Sequence, residues 1–297
     1  MEDDSSDILQ TATEKQLEIM LIKLAESLPN SIQGHHFLYG YLKKFRPDKI
    51  TKFGSDTPGR CRKIVYVPKN GLPENCTFIS ISAVEDYWIF LFTLEESAEE
   101  LAKCLQKTNR ISWECTPIFV SVEQPQFELI DKILHEKNSQ WTYDKDDDIY
   151  YLPKEVFLNY LLSFHRIPDG TYLAPLKEEH AEFINRNWPH RYHSSLKLLR
   201  FLIQINGGTG LFESESNELI AWVGTNDYFA PGFWHTLDKE RGRGCGNAVY
   251  KHECKRFAEN YDLDILASVV ESNTISKKIL EKLGFQVVQK LRWIERL

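Results

Sequence analysis

Apolar and polar positions alternate with two different periods along this chain. In residues 14–28, Leu17, Met20, Leu21, Leu24 and Leu28 recur at i, i+3 and i+4, which predicts a helix packed on one face. Thr11 with Glu14, or Thr13 with Gln16, has the spacing of a capping box at its start. Runs rich in β-branched and aromatic residues then predict strands at 62–67, 77–82 and 87–93. A helix near 95–107, a strand at 117–122, and helices at 126–137 and 154–163 follow. Pro168-Asp169-Gly170 is a turn signal and the expected domain boundary. Beyond it the pattern predicts strand 171–175, helices 177–187 and 194–205, and strands 209–213, 219–225 and 232–237. Asn226-Asp227 is the expected turn between the last two strands. Helix 246–260, strand 264–270, helix 273–283 and strand 285–293 complete the order. A strand–helix–strand run implies a right-handed crossover and a parallel pair, so strands 232–237 and 264–270 are expected to be parallel neighbours. The carboxyl ends of such strands are where ligands bind.

The chain is therefore expected to be an α/β protein with a mixed sheet and two domains, at 1–165 and 166–297. Its 297 residues suffice for two domains, and 42% hydrophobic residues with 12% aromatics supply their cores. A net charge of −7 argues against a nucleic-acid partner. No apolar run reaches the length of about 18 residues that would indicate a membrane span. The acidic start, Met1-Glu-Asp-Asp4, has the wrong charge for a secretory or mitochondrial leader, so a cytoplasmic location is expected, with the mitochondrion as the alternative. The six cysteines, Cys61, Cys76, Cys104, Cys115, Cys245 and Cys254, form no C-x-x-C pair and no zinc spacing. Reduced thiols and no metal are expected.

The halves echo each other. Phe92-Thr-Leu-Glu95 resembles His235-Thr-Leu-Asp238, and Val122-Glu123 resembles Val270-Glu271. The turns that follow differ. The second half has Arg241-Gly-Arg-Gly244, the first Glu96-Ser-Ala-Glu-Glu100. Acidic side chains repel a phosphate, and without glycine the backbone cannot approach it closely. The expectation is a duplicated fold in which only the C-terminal copy binds an anion.

The chemistry concentrates in Leu237-Asp-Lys-Glu-Arg-Gly-Arg-Gly-Cys-Gly246, whose core is Arg241-x-x-Gly244-x-Gly246. A strand entering a glycine turn that opens a helix leaves unpaired N–H groups at the positive end of a helix dipole, a site for a phosphate. The turn lacks the Gly-Lys-Ser/Thr of a Walker loop and the G-x-G-x-x-G spacing of a dinucleotide fingerprint. After the next strand come Asn273-Thr-Ile-Ser276 and Leu283-Gly284-Phe285. Asn273 also suits a helix N-cap and Gly284 a helix end.

Taken together, these paired motifs and the element order of residues 171–297 resemble the GNAT acyltransferases. The length, the degenerate first copy and the Lys282-Leu-Gly-Phe285 detail look most like the glycine N-acyltransferase-like branch. The resemblance implies a GNAT fold in the C-terminal half and a degenerate GNAT-like N-terminal half. It also implies that acyl-CoA or acetyl-CoA is a co-substrate. Arg241, Gly242, Arg243, Gly244, Cys245 and Gly246 would surround its pyrophosphate. Backbone groups of Trp234, His235, Thr236 and Leu237 would pair with the pantetheine, where two parallel strands splay apart. Asn273 and Ser276 would lie along the pantetheine or its phosphates. The acyl group would pass directly to the amine of a small molecule, such as an amino acid like glycine. A coenzyme-binding protein without turnover and a protein N-acetyltransferase are the alternatives. The glutamate base of the resembling group would fall near Ala230, and the tyrosine acid of many relatives at Leu280, so both are missing. Glu271, Asp227 and His235 are the candidate bases in their place. A nucleophilic role for Cys245, beside a helix N-terminus, is the less expected reading, because this fold transfers acyl groups directly.

Overall fold

The computed structural model describes residues 6–45, 62–83, 86–137, 141–161 and 167–296. Cys61, His165, Arg166 and the end of the helix expected at 154–163 lie outside the described residues. The chain divides into two compact units. One comprises Met1–Ile149, Val270–Ser272 and Val288–Leu297; the other comprises Tyr150–Val269 and Asn273–Val287.

The first unit opens with strand β1 (Leu9–Thr11) and helices α1 (Glu14–Glu26) and α2 (Ile32–Gly40). Thr13 and Gln16 form the capping box of α1: the Gln16 N–H donates to Thr13 Oγ1 at 3.3 Å, and the Thr13 N–H to Gln16 Oε1 at 2.9 Å. Strands β2 (Arg62–Pro68), β3 (Phe78–Ala83) and β4 (Tyr87–Phe92) follow as an antiparallel meander. Helix α3 (Glu99–Lys107) then crosses to β5 (Ile118–Glu123), which runs parallel to β4 with Phe90 beside Val120. Helix α4 (Phe127–Glu136) leads to β6 (Trp141–Leu152). One face of this sheet buries Ile79, Ile89, Leu91 and Phe119 beneath Leu101, Leu105, Ile130 and Ile133. On the other, Phe37 of α2 stacks on Phe90 with ring centroids 4.0 Å apart.

The strand beyond β5 comes from the far end of the chain. Strand β12 (Gln286–Arg296) runs antiparallel to β5, with Leu291 opposite Glu123 and Arg292 opposite Val122. Charges on β12 hold it to β6. Arg292 donates to both carboxylate oxygens of Asp146, at 2.8 and 3.0 Å.

The second unit opens with α5 (Lys154–Leu161), beyond which β7 (Thr171–Pro175), β8 (Gly208–Glu213), β9 (Leu219–Thr225) and β10 (Pro231–Thr236) form an antiparallel sheet in the order β10-β9-β8-β7. The helix expected at 177–187 is a 3-10 turn at Glu178–His180 running into α6 (Ala181–Asn187); α7 is Ser195–Asn206. These helices cover one face of the sheet, burying Ile184, Leu199, Ile203, Phe212 and Trp222. Helix α8 (Cys245–Asn260) packs on β8, β9 and β10, and β11 (Ile265–Val270) and α9 (Thr274–Lys282) follow it.

The expected pairing of strands 232–237 and 264–270 is corrected by the structure. β10 ends the four-stranded sheet, and β11 lies beside β6 with no ladder to β10. The cause lies partly in β10 itself. Its register against β9 shifts between Gly232 and His235, where one extra residue is inserted, and Phe233 has φ 52°. Such a bulge bends and twists the strand locally and interrupts its ladder, which resumes at His235.

A buried charge pair fixes α8 to the sheet. Glu253 is fully buried and accepts from Thr209 Oγ1 (2.8 Å), Thr225 Oγ1 (2.9 Å) and Arg256 Nε (3.0 Å). Arg256 also donates to the Asn206 carbonyl at 3.2 Å and the Tyr261 hydroxyl at 2.6 Å. Satisfying every donor and acceptor in this way is what makes a buried ion pair tolerable.

Candidate functional site

The loop from β10 to α8 is shaped by two glycines and two arginines. After Leu237 the chain makes a 3-10 turn at Asp238–Glu240 and then bends through Gly242 (φ 80°) and Gly244 (φ 83°). Both glycines occupy the left-handed region, which L side chains enter at a cost. Gly244 is the N-cap of α8 and, as a glycine, supplies no side-chain cap. The helix's first amides therefore remain for a ligand, at the positive end of the dipole. Gly246 is required for another reason. A Cβ there would stand 2.8 Å from Thr236 Oγ1, so the first turn of α8 rests directly on β10. Trp234 Nε1 closes the seam, donating to the Gly246 carbonyl at 3.1 Å, and its ring lies 4.4 Å from that of Tyr250. Arg241 and Arg243 project from the same loop, each paired to an acid of the loop, Asp238 (2.8 Å) and Glu240 respectively.

The structure thus gathers Trp234, Thr236, Leu237, Arg241, Gly242, Arg243, Gly244, Cys245 and Gly246 on one strand–turn–helix junction. Burial pushes the Cys245 thiol up, against the pull of Arg243, so it is held as a thiol. Asn273 and Ser276 sit at the start of α9, where Asn273 Oδ1 accepts from the Ser276 N–H at 3.1 Å. Asn273 is thereby the N-cap of α9.

The three candidate bases occupy different settings. Glu271 belongs to the first unit, is exposed and pairs with Lys290 at 2.8 Å; its N–H donates to the Asp146 carbonyl. Asp227 is half-buried in the turn into β10, which Asn226 closes by accepting from the Ala230 N–H at 2.9 Å. His235 lies on β10 itself, half-buried, opposite Trp222 of β9, with ring centroids 5.0 Å apart. Burial first, and then the charge of Arg241, pulls its imidazole below the usual histidine range. It is therefore neutral at pH 7, the form that can accept a proton.

The aromatic residues near β10 separate by role. Phe229 is core, packed on Phe257 and Tyr261. Trp234 faces α8, whereas the bulge sends Phe233 to Trp188, at 5.4 Å edge to face. Trp188, after α6, has no sequence signal linking it to the strand. The acid clasp on the arginines was legible as Asp238/Arg241 and Glu240/Arg243 at i, i+3.

The first copy completes the comparison. Its α3 also begins after a left-handed residue, Ala98 at φ 50°, but Glu95 accepts from the Glu100 N–H at 2.8 Å. A carboxylate of the chain itself occupies that helix N-terminus. Glu100 in turn accepts from the Leu72 N–H at 2.9 Å.

Comparison with known proteins agrees with this architecture. Residues 208–294 match a family described as FR47-like protein, and residues 8–133 match a domain of unknown function, DUF5645. No curated protein matches the chain. A Drosophila protein of known crystal structure is similar over 98% of this chain and 99% of its own, with a TM-score of 0.84 and 21% identity. A tandem GNAT protein from the clavulanic acid biosynthesis pathway is similar over 97% of both chains, with a TM-score of 0.56 and 10% identity. A GCN5-related N-acetyltransferase from Sphaerobacter thermophilus is similar over 97% of this chain and 94% of its own, with a TM-score of 0.53 and 10% identity. Among the described residues, no helix is long and apolar enough to cross a membrane, and no group of acidic, histidine and cysteine residues is placed to hold a metal. The chain has a mixed α/β GNAT fold with two GNAT-like halves, and residues 208–294 of its C-terminal half are similar to the FR47-like family.

Proposed function

We propose that the chain moves an acyl group from acyl-CoA or acetyl-CoA to the amine of a small molecule, with an amino acid such as glycine as the model acceptor. The observation that carries this reading is the uncapped N-terminus of α8 beneath the left-handed turn at Gly242 and Gly244, with Arg241 and Arg243 beside it. Backbone N–H groups at a helix start with two cations nearby suit a pyrophosphate. The separation of β10 from β11 supports the same reading, since it leaves an edge of β10 for an extended pantetheine arm to follow.

Transfer requires an amine without its extra proton, a polarised thioester oxygen and release of a thiolate. His235 is the base in this reading. Its neutral imidazole takes the proton as the amine nitrogen bonds to the thioester carbon and the carbon–sulfur bond breaks. A backbone N–H at the β10 bulge is the candidate donor to the thioester oxygen. Coenzyme-dependent release of free thiol in the presence of a panel of amines tests the activity.

One observation favours a second reading, binding without turnover. Ala230 and Leu280, where the resembling enzymes place an acid–base pair, are both fully buried. Saturable coenzyme binding with no thiol release for any amine would select that reading.

A further inference from the structure

The arginines of the anion loop are already occupied. Arg241 pairs with Asp238 at 2.8 Å and Arg243 with Glu240, both within the loop. The two pairs differ in setting. Asp238 is 85% exposed and Arg241 59%, whereas Glu240 is only 11% exposed against Arg243 at 46%. Each acid is engaged by its own arginine, and the N-cap residue of α8 is Gly244, which has no side chain to cap the helix. The loop thus holds two carboxylates and two guanidiniums next to an open helix N-terminus.

The first copy shows where such an acid can go. There the turn has no arginine, and Glu95, three residues before the N-cap position, bonds directly to the amide of Glu100. A carboxylate on this turn can stand in for an anionic ligand at the helix start. In the C-terminal copy, Asp238 and Glu240 are drawn aside by the arginines instead.

We propose that Asp238 and Glu240 are internal competitors for the phosphate of the coenzyme, setting its affinity and release. The inference rests on the pyrophosphate reading of the loop. A diphosphate entering the turn brings two negative charges to Arg241 and Arg243, and each guanidinium exchanges a loop carboxylate for a phosphate oxygen. The displaced acids then lie within the same short loop as the bound anion, which they repel. Binding is therefore weaker, and release faster, than the same loop would give without them. Such tuning suits a site that must let go of its spent coenzyme after each transfer.

Asp238→Asn and Glu240→Gln keep shape and remove charge. Their dissociation constants for coenzyme A and for inorganic pyrophosphate, measured by titration calorimetry on the full chain, test the proposal. Exposed pairs are worth the least, so Asp238→Asn should tighten coenzyme A binding by about twofold to fivefold. Glu240→Gln, more buried, should tighten it by roughly fivefold to tenfold. Pyrophosphate should follow the same order, with a dissociation rate for coenzyme A that falls in step. Melting temperature monitored alongside shows whether each variant is folded. Unchanged or weaker affinity in both folded variants overturns the proposal and assigns the acids to holding the arginines in place. If wild type itself binds neither coenzyme A nor pyrophosphate, the pyrophosphate reading of the loop fails, and this inference falls with it.

Discussion

Glu123 gives a prediction that can be worked from the structure with its sign. It closes β5, is buried opposite Leu291 of β12, and its Oε1 has no hydrogen-bond partner. Burial raises its carboxyl from the ordinary 4.5 to about 8, with a hydrogen bond from Gln289 working the other way. The carboxyl is therefore held neutral at pH 7, where an unfolded chain would carry it ionised. Between pH 4.5 and about 8 the folded state binds one more proton than the unfolded state, so stability falls as pH rises. At about 1.4 kcal/mol per pH unit, the ceiling on this loss is about 5 kcal/mol. Glu123→Gln substitutes a neutral amide of nearly the same shape and removes the titration. The variant should match wild type near pH 4.5 and exceed it progressively toward pH 8, by about 3–5 kcal/mol at the end of the window. Urea denaturation of the full chain at half-unit pH steps, followed by the fluorescence of β12 Trp293 and its neighbours, measures this difference. Parallel curves for variant and wild type across the window would refute the reasoning.

Three further outcomes follow from the second unit. Arg256→Met strands the fully buried Glu253 carboxylate, and denaturation should show a loss of about 3–5 kcal/mol. Gly246→Val should press its side chain into Thr236 Oγ1 and disturb the seat of α8, abolishing coenzyme binding and lowering the melting temperature. His235→Gln should leave the coenzyme dissociation constant within about twofold while cutting the thiol-release rate by about 10²-fold or more, and should remove the acidic limb of the pH–rate profile. That limb should lie below pH 6.5, because the His235 imidazole is pulled down by burial and by Arg241.

The sequence exposed whatever is local. The 3.6-residue stripe of Leu17, Met20 and Leu24 became the buried face of α1, and Thr13 with Gln16 became its capping box. The strands expected at 219–225 and 232–237 became β9 and β10, and the glycines at 242 and 244 became the left-handed turn. What the sequence hid was pairing at long range. Strand 285–293 carries no signal that it will lie against β5 of the first half, because register is set by which face is buried once the sheets meet. The separation of β10 from β11 was hidden for a related reason. A crossover helix predicts parallel neighbours, and the bulge after Gly232 shows only as an awkward Pro231-Gly232 start. At the site, motif residues were legible because glycine and arginine spacing is itself the chemistry. A choice among the candidate bases Glu271, Asp227 and His235 was not, because the burial and the Arg241 charge that pull the His235 imidazole down come together only in the fold.

The central claim is that the turn from Arg241 to Gly246 holds the pyrophosphate of an acyl-coenzyme A. Its most direct test is calorimetric titration of acetyl-CoA into the full chain and into an Arg241→Ala/Arg243→Ala double variant that retains the wild-type melting temperature. The account predicts saturable one-site binding to wild type and a dissociation constant at least about tenfold weaker in the double variant, consistent with loss of charge-assisted phosphate bonds. Equal affinity in the two proteins, or no binding to wild type, would contradict it.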